Sequence, residues 1–260
     1  MINISFVHCH VHTIYSMLDG YCKIDDLIEK AKEYNMSSIC ITDHGTLAGT
    51  YEFNDKCKKA GLKPILGIEA YQTHDISKII LPVEERKKIA WDKYLEINKI
   101  TDEKSLGKLT NKKKAELSSE YIYDTKGYHL ILIAKNQTGW NNLVKLSSKA
   151  NDIAMFNGKG HIDYNLLKQY SEGLICTTAC ISSMFNHALS NNNMNEAIKH
   201  IETLLDIFHD DLYIELQPLE WNKQVEVNKK AIKIAKQYNI KTIATSDVHY
   251  TNYEDDYEHD

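Results

Sequence analysis

Short β-like segments alternate with amphipathic helical segments along most of the chain, and this alternation restricts the fold more than any other feature. Seven segments rich in apolar and β-branched residues predict strands, at 4–11, 37–41, 63–70, 128–134, 173–178, 212–216 and 241–245. Between them, stretches such as IDDLIEKAKEY (24–34) and KQVEVNKKAIKIAKQY (223–238) repeat apolar residues at helical spacing. Seven strands alternating with helices predict a parallel α/β architecture.

Residues 75–126 interrupt this alternation. The stretch EERKKIAWDKYLEINK (84–99) predicts a charged helix, and DEKSLGKLTNKKKAELSSE (102–120) predicts a solvated loop or a second helix. Acidic residues are interleaved throughout this segment, so we expect the lysines at 112–114 to form a solvated surface rather than a contact with nucleic acid. We therefore expect a single domain over residues 1–260, with 75–126 as an insertion within it.

Composition excludes several classes of protein. With 260 residues, of which 43% are hydrophobic and 26% charged, the chain is long enough for one large globular domain. Its net charge of −5 argues against a generally basic nucleic-acid coat protein but leaves room for a local basic patch. It has neither an 18-residue apolar run nor a signal-peptide pattern at its N-terminus, so we expect a cytoplasmic protein. The six cysteines show no disulfide-framework or zinc-ribbon spacing.

Residues of the types that bind metals follow the predicted strands. The first strand carries His8, His10 and His12 on alternate positions, and alternate side chains of a strand share one face. Asp19 follows in the loop after the first strand, and later strands carry or are followed by Asp43, His44, Glu69, His129, Cys180, Asp247 and His249. The sixth strand offers no comparable group, only Glu215 and Gln217. Each residue alone has an ordinary structural explanation, but imidazole, carboxylate and thiolate together are ligands that zinc or manganese prefers.

The distances between strands favour a closed barrel over an open sheet. Neighbouring strands lie about 4.8 Å apart, so ligands from the first and seventh strands of a flat sheet would lie more than about 20 Å apart. A barrel brings them together. In barrel enzymes the active site lies at the C-terminal ends of the strands, where most of these residues fall.

Six segments carry a family resemblance. In chain order they are FVHCHVHTIYSMLDG, ITDHGTLAGTYEF, KPILGIEAY, YHLILIAKNQTGWNNLVKLSS, YSEGLICTTACISS and TSDVHYTNYEDDYEHD. This ordered set resembles the polymerase and histidinol phosphatase (PHP) domain, in the version that opens the alpha subunit of bacterial DNA polymerase III. Residues 75–126 are outside the resemblance. It implies a distorted seven-stranded (β/α)7 TIM-like barrel that holds two to three divalent ions, zinc or manganese, with iron and magnesium as alternatives.

The resemblance also implies a set of metal ligands. Matched position by position, they are His10, His12, Asp19, His44, Glu69, His129, Cys180, Asp247 and His249. Among them, the implied catalytic group that holds the ions and activates water is His10, His12, Asp19, Glu69 and Asp247, with the three carboxylates suited to bridging ions. His8 falls outside this set, and we expect it to support a ligand from behind. Cys9 is expected to face away from the site, into the helix layer.

The function implied is that of a metal-dependent phosphoesterase. The leading hypothesis is a 3′-5′ exonuclease or phosphodiesterase acting on DNA 3′ ends, as the proofreading module of a replicative polymerase. The expected partners are single-stranded DNA or a primer 3′ end, together with polymerase domains or other replisome subunits, in a bacterium or as a viral protein in a bacterial host. Two alternatives remain: a phosphomonoesterase acting on a small metabolite, as in the histidinol phosphatase branch, and a non-catalytic structural module of a polymerase.

Overall fold

The computed structural model describes residues 6–119 and 126–255, and its elements alternate largely as the sequence predicts. Its strands are β1 (Ser38–Ile41), β2 (Lys63–Gln72), β3 (Tyr128–Ala134), β4 (Met155–Phe156), β5 (Lys159–Ile162), β6 (Leu174–Thr177), β7 (Leu212–Leu216) and β8 (Lys241–Ala244). Its α-helices are α1 (Ile24–Glu33), α2 (Thr50–Lys59), α3 (Ile76–Ile79), α4 (Val83–Ile97), α5 (Asn111–Leu117), α6 (Gln137–Ile153), α7 (Tyr164–Tyr170), α8 (Met184–Ser190), α9 (Met194–Phe208) and α10 (Asn222–Tyr238).

Residues 8–13 close the sheet into a barrel. The main sheet runs in the spatial order β1, β2, β3, β6, β7, β8. Residues 8–13 form no regular strand, yet their backbone bonds to both open edges. The Val248 N–H donates to the His10 carbonyl at 3.0 Å, and the Thr42 N–H donates to the Val11 carbonyl at 2.8 Å. This segment takes the place of a seventh strand, and the described structure therefore confirms the predicted α/β barrel.

One strand runs against the predicted direction. β3 pairs antiparallel with both β2 and β6, whereas β1 and β2 pair parallel, as do β6 with β7 and β7 with β8. The expectation of parallel strands throughout is therefore wrong for β3. The physical reason lies in the connection: the segment after β2 returns to the same end of the barrel, so that Tyr71 near the end of β2 pairs with His129 near the start of β3.

The core has an outer and an inner part, separated by the wall of the barrel. Ile39 and Ile41 of β1 pack outward against α1 and α2, while Cys40 between them packs inward against Ile131 and Ile133 of β3. This alternation follows from the two-residue period of a strand. The inner cluster fills the barrel beneath the end where the predicted ligands lie.

Two features lie outside the main alternation. The segment between β2 and β3 contains α3, α4 and α5, so the charged helix predicted over 84–99 is confirmed as Val83–Ile97, and the second helix forms at Asn111–Leu117. The hairpin of β4 and β5 was not predicted, because its strands are only two and four residues long. The single-domain reading of 1–260, with 75–126 as an insertion, stays a prediction. No helix in the described part of the chain is long and apolar enough to span a bilayer.

Gly139 in α6 offers a test of this packing. A Cβ atom built on Gly139 would lie 1.8 Å from the carbonyl oxygen of Gly173, in the turn that leads into β6. We predict that Gly139→Ala lowers the free energy of unfolding by about 1–3 kcal/mol, because backbone atoms cannot yield as a flexible side chain can. Urea unfolding measures this change. The control is Ser148→Ala at an exposed position of the same helix, expected to change stability by less than about 0.5 kcal/mol. Equal effects of the two changes would contradict the close contact.

Candidate metal centre

The nine predicted ligands converge at one end of the barrel. Seven of them line a cavity of about 270 Å³: Asp19, His44, Glu69, His129, Cys180, Asp247 and His249. The other two, His10 and His12, are fully buried and contact Glu69 and Asp247. His129 belongs to this group although it lies at the start of its strand, because β3 runs antiparallel to its neighbours.

The carboxylate of Glu69 lies at the centre of the cluster. Its Oε1 lies 3.3 Å from His10 Nε2 and 3.0 Å from His129 Nδ1, and its Oε2 lies 2.7 Å from His44 Nδ1 and 3.4 Å from His12 Nε2. The residue is buried in the last third of β2. Four imidazoles therefore surround one carboxylate. They belong to the N-terminal segment, to the loop after β1 and to the strand β3.

The carboxylate of Asp247 is the second acidic group that two histidines approach. Its Oδ1 lies 3.0 Å from His10 Nε2 and 3.3 Å from His12 Nε2.

The backbone of Asp247 has a φ of +51°, in the left-handed region that non-glycine residues seldom adopt. Leu18 and Ala179, which precede Asp19 and Cys180, have φ values of +66° and +49°. Backbone strain of this kind persists where the surrounding structure imposes it, and it is concentrated at functional sites.

Asp19 and three histidines form the outer part of the cluster. The Oδ2 of Asp19 lies 2.6 Å from His44 Nε2 and 3.1 Å from His249 Nε2. The ring of His12 is stacked against that of His44 and against that of His249, with centroid separations of 4.2 and 4.4 Å, and the centroids of His44 and His249 lie 6.2 Å apart. These stacked rings fix the directions in which their nitrogens point.

Cys180 lies beside His129 at the edge of the cluster. Its Sγ lies 3.4 Å from His129 Nδ1 and 4.0 Å from Glu69 Oε1. Burial, and then the negative charges of Glu69 and Asp247, raise the pKa of the Cys180 thiol far above its usual range. A thiolate at this position therefore needs added positive charge nearby, which a divalent cation provides.

Burial and charge pairing oppose each other at His10 and Glu69. Burial alone would lower the pKa of His10, but the carboxylates of Glu215, Glu69 and Asp247 together outweigh it and raise the pKa well above its usual value. Burial would raise the pKa of Glu69, but His10 and the neighbouring histidines outweigh it and lower the pKa well below its usual value. Burial would also raise the pKa of Asp247, but His10 and His12 outweigh it and lower the pKa well below its usual value. The cluster is thus a buried network of opposite charges.

The arrangement of donor atoms fits divalent cations. Three overlapping groups have ligand-type atoms within 4.8 Å of one another: His12, Asp19, His44 and His249; His10, His12 and Asp247; and His44, Glu69 and His129. Several buried atoms in these groups lie close together but make no directed hydrogen bond: His10 Nε2, His12 Nε2, His44 Nδ1, Glu69 Oε2 and Asp247 Oδ1. Close approach without a directed hydrogen bond suits atoms that share an ion rather than a proton. The residue types are those that bind zinc or manganese.

Sequence reasoning did not identify the role of Glu215. This buried carboxylate of β7 accepts a 2.7 Å hydrogen bond from His10 Nδ1. Because a carboxylate only accepts, the Nδ1 atom keeps its proton, so Nε2, which faces Glu69 and Asp247, is the atom whose lone pair becomes available to a cation. Oxygen atoms placed behind a histidine orient metal ligands in this way. The sequence signal for this role was Glu215 itself, an acidic residue in the otherwise apolar predicted strand LYIEL.

Asp43, which the sequence placed among metal-type residues, anchors the loop that carries Asp19. Its carboxylate accepts hydrogen bonds from the Thr13 N–H at 2.6 Å and from the Ser16 hydroxyl at 2.8 Å. The Ser16 oxygen in turn lies 3.2 Å from His12 Nδ1. Asp43 therefore holds His12 through Ser16 without reaching the cluster itself.

The expected positions of His8 and Cys9 are wrong. His8 lines a small apolar cavity with Val11 and Leu27, on the outside of the barrel, and therefore does not support a ligand from behind. Cys9 packs inward with Cys40 rather than into the helix layer. The cause is that the chain bends at His10 and forms no regular strand there, so strict alternation does not hold across residues 8–12.

The chain was compared with known protein families and with curated proteins. The family model described as the PHP domain matches residues 8–218. The DNA polymerase III subunit alpha of Aquifex aeolicus is 40% identical over 254 residues, which cover 98% of this chain and 19% of that protein. The subunit of the same name from Borreliella burgdorferi is 38% identical over 250 residues, covering 96% of this chain and 18% of that protein. The chain thus spans about a fifth of the length of these relatives.

These alignments extend beyond the motifs. Since the first of them covers 98% of the chain, it includes residues 75–126, for which the sequence motifs gave no counterpart. Among solved structures, a two-domain protein from Bacteroides vulgatus, containing a predicted PHP-like metal-dependent phosphoesterase, has a TM-score of 0.37 at 13% identity. That match covers 97% of this chain and 55% of the other. A likeness this distant carries no argument about activity.

The role of Glu215 can be measured through metal affinity. We predict that Glu215→Gln weakens binding of Zn²⁺ or Mn²⁺ by about 10- to 100-fold, because a neutral amide with one acceptor oxygen replaces the carboxylate that fixes the tautomer and orientation of His10, and its NH2 group would face hydrogen-bond donors. Competition with a chelator of known affinity gives the constant. Glu226→Gln, at an exposed position of α10, is the matched control and should bind metal as the wild-type protein does. Unchanged affinity in a folded Glu215→Gln protein would contradict this role.

A pair of histidine variants tests the bend at His10. We predict that His10→Ala loses bound metal, whereas His8→Ala retains it, because His8 lies on the outside of the barrel. Elemental analysis after gel filtration measures the metal content of each protein, and circular dichroism establishes that each is folded. Loss of metal from a folded His8→Ala protein would show instead that residues 8–12 alternate as a regular strand.

Proposed function

The chain belongs to the PHP domain family, and we propose that it is a metal-dependent phosphoesterase that removes nucleotides from the 3′ ends of DNA. The observation that carries the proposal is the convergence of nine ligand-type residues from separate parts of the sequence at one end of a barrel. The nine are proposed to hold two to three divalent ions. Such a site at the C-terminal ends of barrel strands is where catalysis is found in this architecture.

The charge of the cavity supports a requirement for metal. The described residues that line it include the carboxylates of Asp19, Glu69 and Asp247 but no lysine or arginine. A phosphodiester entering this cavity would meet negative charge with no permanent cationic side chain to offset it. Bound divalent cations reverse that balance, and they supply Lewis acidity and lower the pKa of water.

The side chains of the chain itself have distinct roles in this proposal. Asp19, Glu69 and Asp247 are the proposed bridging ligands, since each approaches at least two histidines. His10 and His12 direct their Nε2 atoms into the cluster, whereas His44 approaches Asp19 through Nε2 and Glu69 through Nδ1. Glu215 keeps the proton of His10 on the Nδ1 atom, away from the cluster.

The proposed substrate rests on the relatives. The similar curated proteins are DNA polymerase III alpha subunits, so a DNA strand is the phosphodiester expected near this domain. We propose that the natural substrate is the 3′ end of a primer or of single-stranded DNA, and that polymerase domains or other replisome subunits are its partners. The experiment below distinguishes this substrate from two alternatives: a small phosphomonoester as substrate, and a purely structural role.

A single time course tests this function. We predict that the purified chain with Mn²⁺ or Zn²⁺ shortens a 5′-labelled single-stranded oligonucleotide one nucleotide at a time from its 3′ end. A chelator should abolish the reaction. His12→Ala should reduce the rate by at least about 100-fold, since His12 contacts both Glu69 and Asp247. His74→Ala is the matched control, because His74 is a half-exposed histidine outside the cluster.

Each other outcome has a defined meaning. Hydrolysis of small phosphomonoesters by the metal-loaded protein, without cleavage of DNA, would replace the proposed substrate. Metal-loaded protein without hydrolysis of either would favour a structural module. Retained cleavage by a folded His12→Ala protein that has lost its ions would overturn the metal mechanism.

A further inference from the structure

One wall of the cavity is apolar, aromatic and exposed. The segment after β7 places Leu219 and Trp221 in the lining of the same cavity as the carboxylates and imidazoles of the cluster. Trp221 is 52% exposed and Leu219 is 44% exposed. A large indole left half in water next to a polar cluster is unusual, because burial of an aromatic ring is among the larger stabilising contributions available to a chain.

We propose that Trp221 is a stacking platform for the terminal nucleobase of the substrate, a specificity-determining contact beside the metal centre. This inference rests on the proposed function and identifies how the same site recognises a nucleotide. An indole face stacks on any base, since every base has a π-face, and such stacking tolerates differences in sequence. An exonuclease that removes one terminal nucleotide after another requires a base contact that tolerates differences in sequence.

Gln224 supplies an independent observation. It lines the same cavity and is 2% exposed, yet its Oε1 atom has no hydrogen-bond partner. The identity of this atom follows from its neighbours. The Nδ2 of Asn228 donates to the carbonyl of Gln217, so the Oδ1 of Asn228 is an acceptor, and it accepts from Gln224 Nε2 at 2.9 Å. The remaining atom of Gln224 is therefore an oxygen that needs a donor.

That donor fits a nucleobase. Each of the four bases carries at least one N–H on its edge, and the terminal sugar carries a 3′ hydroxyl, whereas an ionised phosphodiester has no donor. A buried acceptor left without a partner is costly, and a ligand that supplies the missing N–H recovers that cost. Gln224 and Trp221 together thus present an edge contact and a face contact within one cavity.

Lys223 adds charge where the strand would leave the cavity. Its Nζ lies 5.9 Å from the centre of the Trp221 ring, and the residue is exposed. The described residues that line the cavity include no lysine or arginine, so Lys223 offers a second phosphate a cation beside Trp221. Aromatic platforms accompanied by basic side chains are the usual means of holding single strands.

Hydrogen bonds anchor the loop where it leaves β7, at Gln217, and where it enters α10, where the Trp221 carbonyl accepts from the Val225 N–H at 3.1 Å. The Gln217 carbonyl accepts from Asn228 at 2.8 Å, and Gln217 Nε2 lies 3.4 Å from the Glu215 carboxylate. Trp221 is the N-cap residue of α10 but makes no side-chain capping bond. Replacement of the indole therefore removes a surface without removing a hydrogen bond of the fold.

The test compares 3′ ends with and without a base. Two 5′-labelled oligonucleotides, identical except for a base or a stable abasic residue at the 3′ terminus, are given to the manganese-loaded chain. Binding is measured by fluorescence anisotropy on versions with a phosphorothioate terminal linkage, and cleavage is measured on the ordinary versions. The variants are Trp221→Ala, Trp221→Phe and, as matched control, Tyr51→Ala, which removes an aromatic that is 84% exposed and lines a different cavity.

The expected result is a loss of discrimination. Wild type and Tyr51→Ala bind the base-bearing end about 5- to 150-fold more tightly than the abasic end. Trp221→Ala binds both ends with the weaker affinity, retains its metal content and still cleaves the abasic end, whereas Trp221→Phe recovers most of the preference.

The remaining outcomes separate this inference from the function on which it rests. If wild type cleaves both ends but Trp221→Ala prefers the base as strongly as wild type, the stacking platform is overturned and the exonuclease stands. If wild type cleaves neither end but prefers the base in the anisotropy measurement through Trp221, the platform stands and the exonuclease fails. If wild type shows no preference for the base at all, the platform is overturned, and a protein contact becomes the explanation for the exposed indole.

Discussion

The structure depends on the buried carboxylate of Glu69. A charge removed from water must be paired, and four histidines approach this one within 3.4 Å. They come from the N-terminal segment, the loop after β1 and the start of β3. The closed barrel and its loop geometry are what allow segments so far apart in sequence to neutralise a single charge. The same concentration of carboxylate and imidazole groups gives the cluster its capacity for cations.

The reversed direction of β3 follows from the same requirement. In a strand parallel to its neighbours, His129 would lie at the far end of the barrel, because it is the second residue of a seven-residue strand. Reversal brings it to within 3.0 Å of Glu69. The helices α3 to α5 fill the connection that makes this reversal possible, since they return the chain to the end of the barrel from which it left.

The sequence made much of this site predictable, because the ligand types lie in short local motifs at strand ends, where topology brings them together. The misassigned features depend on properties that a local pattern does not carry. His8 and Cys9 exchanged sides because the backbone bends at His10. The direction of β3 depends on the path of a long connection. Glu215 resembled an ordinary acidic residue in a strand, and its role became apparent only when His10, 205 positions away, was found 2.7 Å from it.

Glu215 and Glu69 show how the surroundings of a carboxylate decide its role. A carboxylate has about four acceptor sites. Four donors reach Glu215: the Nδ1 of His10 and the side chains of Gln217 and Thr245 at Oε1, and the hydroxyl of Thr177 at Oε2. Glu215 is thus surrounded by hydrogen-bond donors and, among the described residues, lies outside the groups of ligand-type atoms, so its role is to orient its neighbours. Glu69 is as deeply buried, but it is approached by imidazole nitrogens, and its Oε2 makes no directed hydrogen bond. Because Glu215 contacts both His10 and the loop that carries Trp221, it also links the geometry of the cluster to that of the cavity wall.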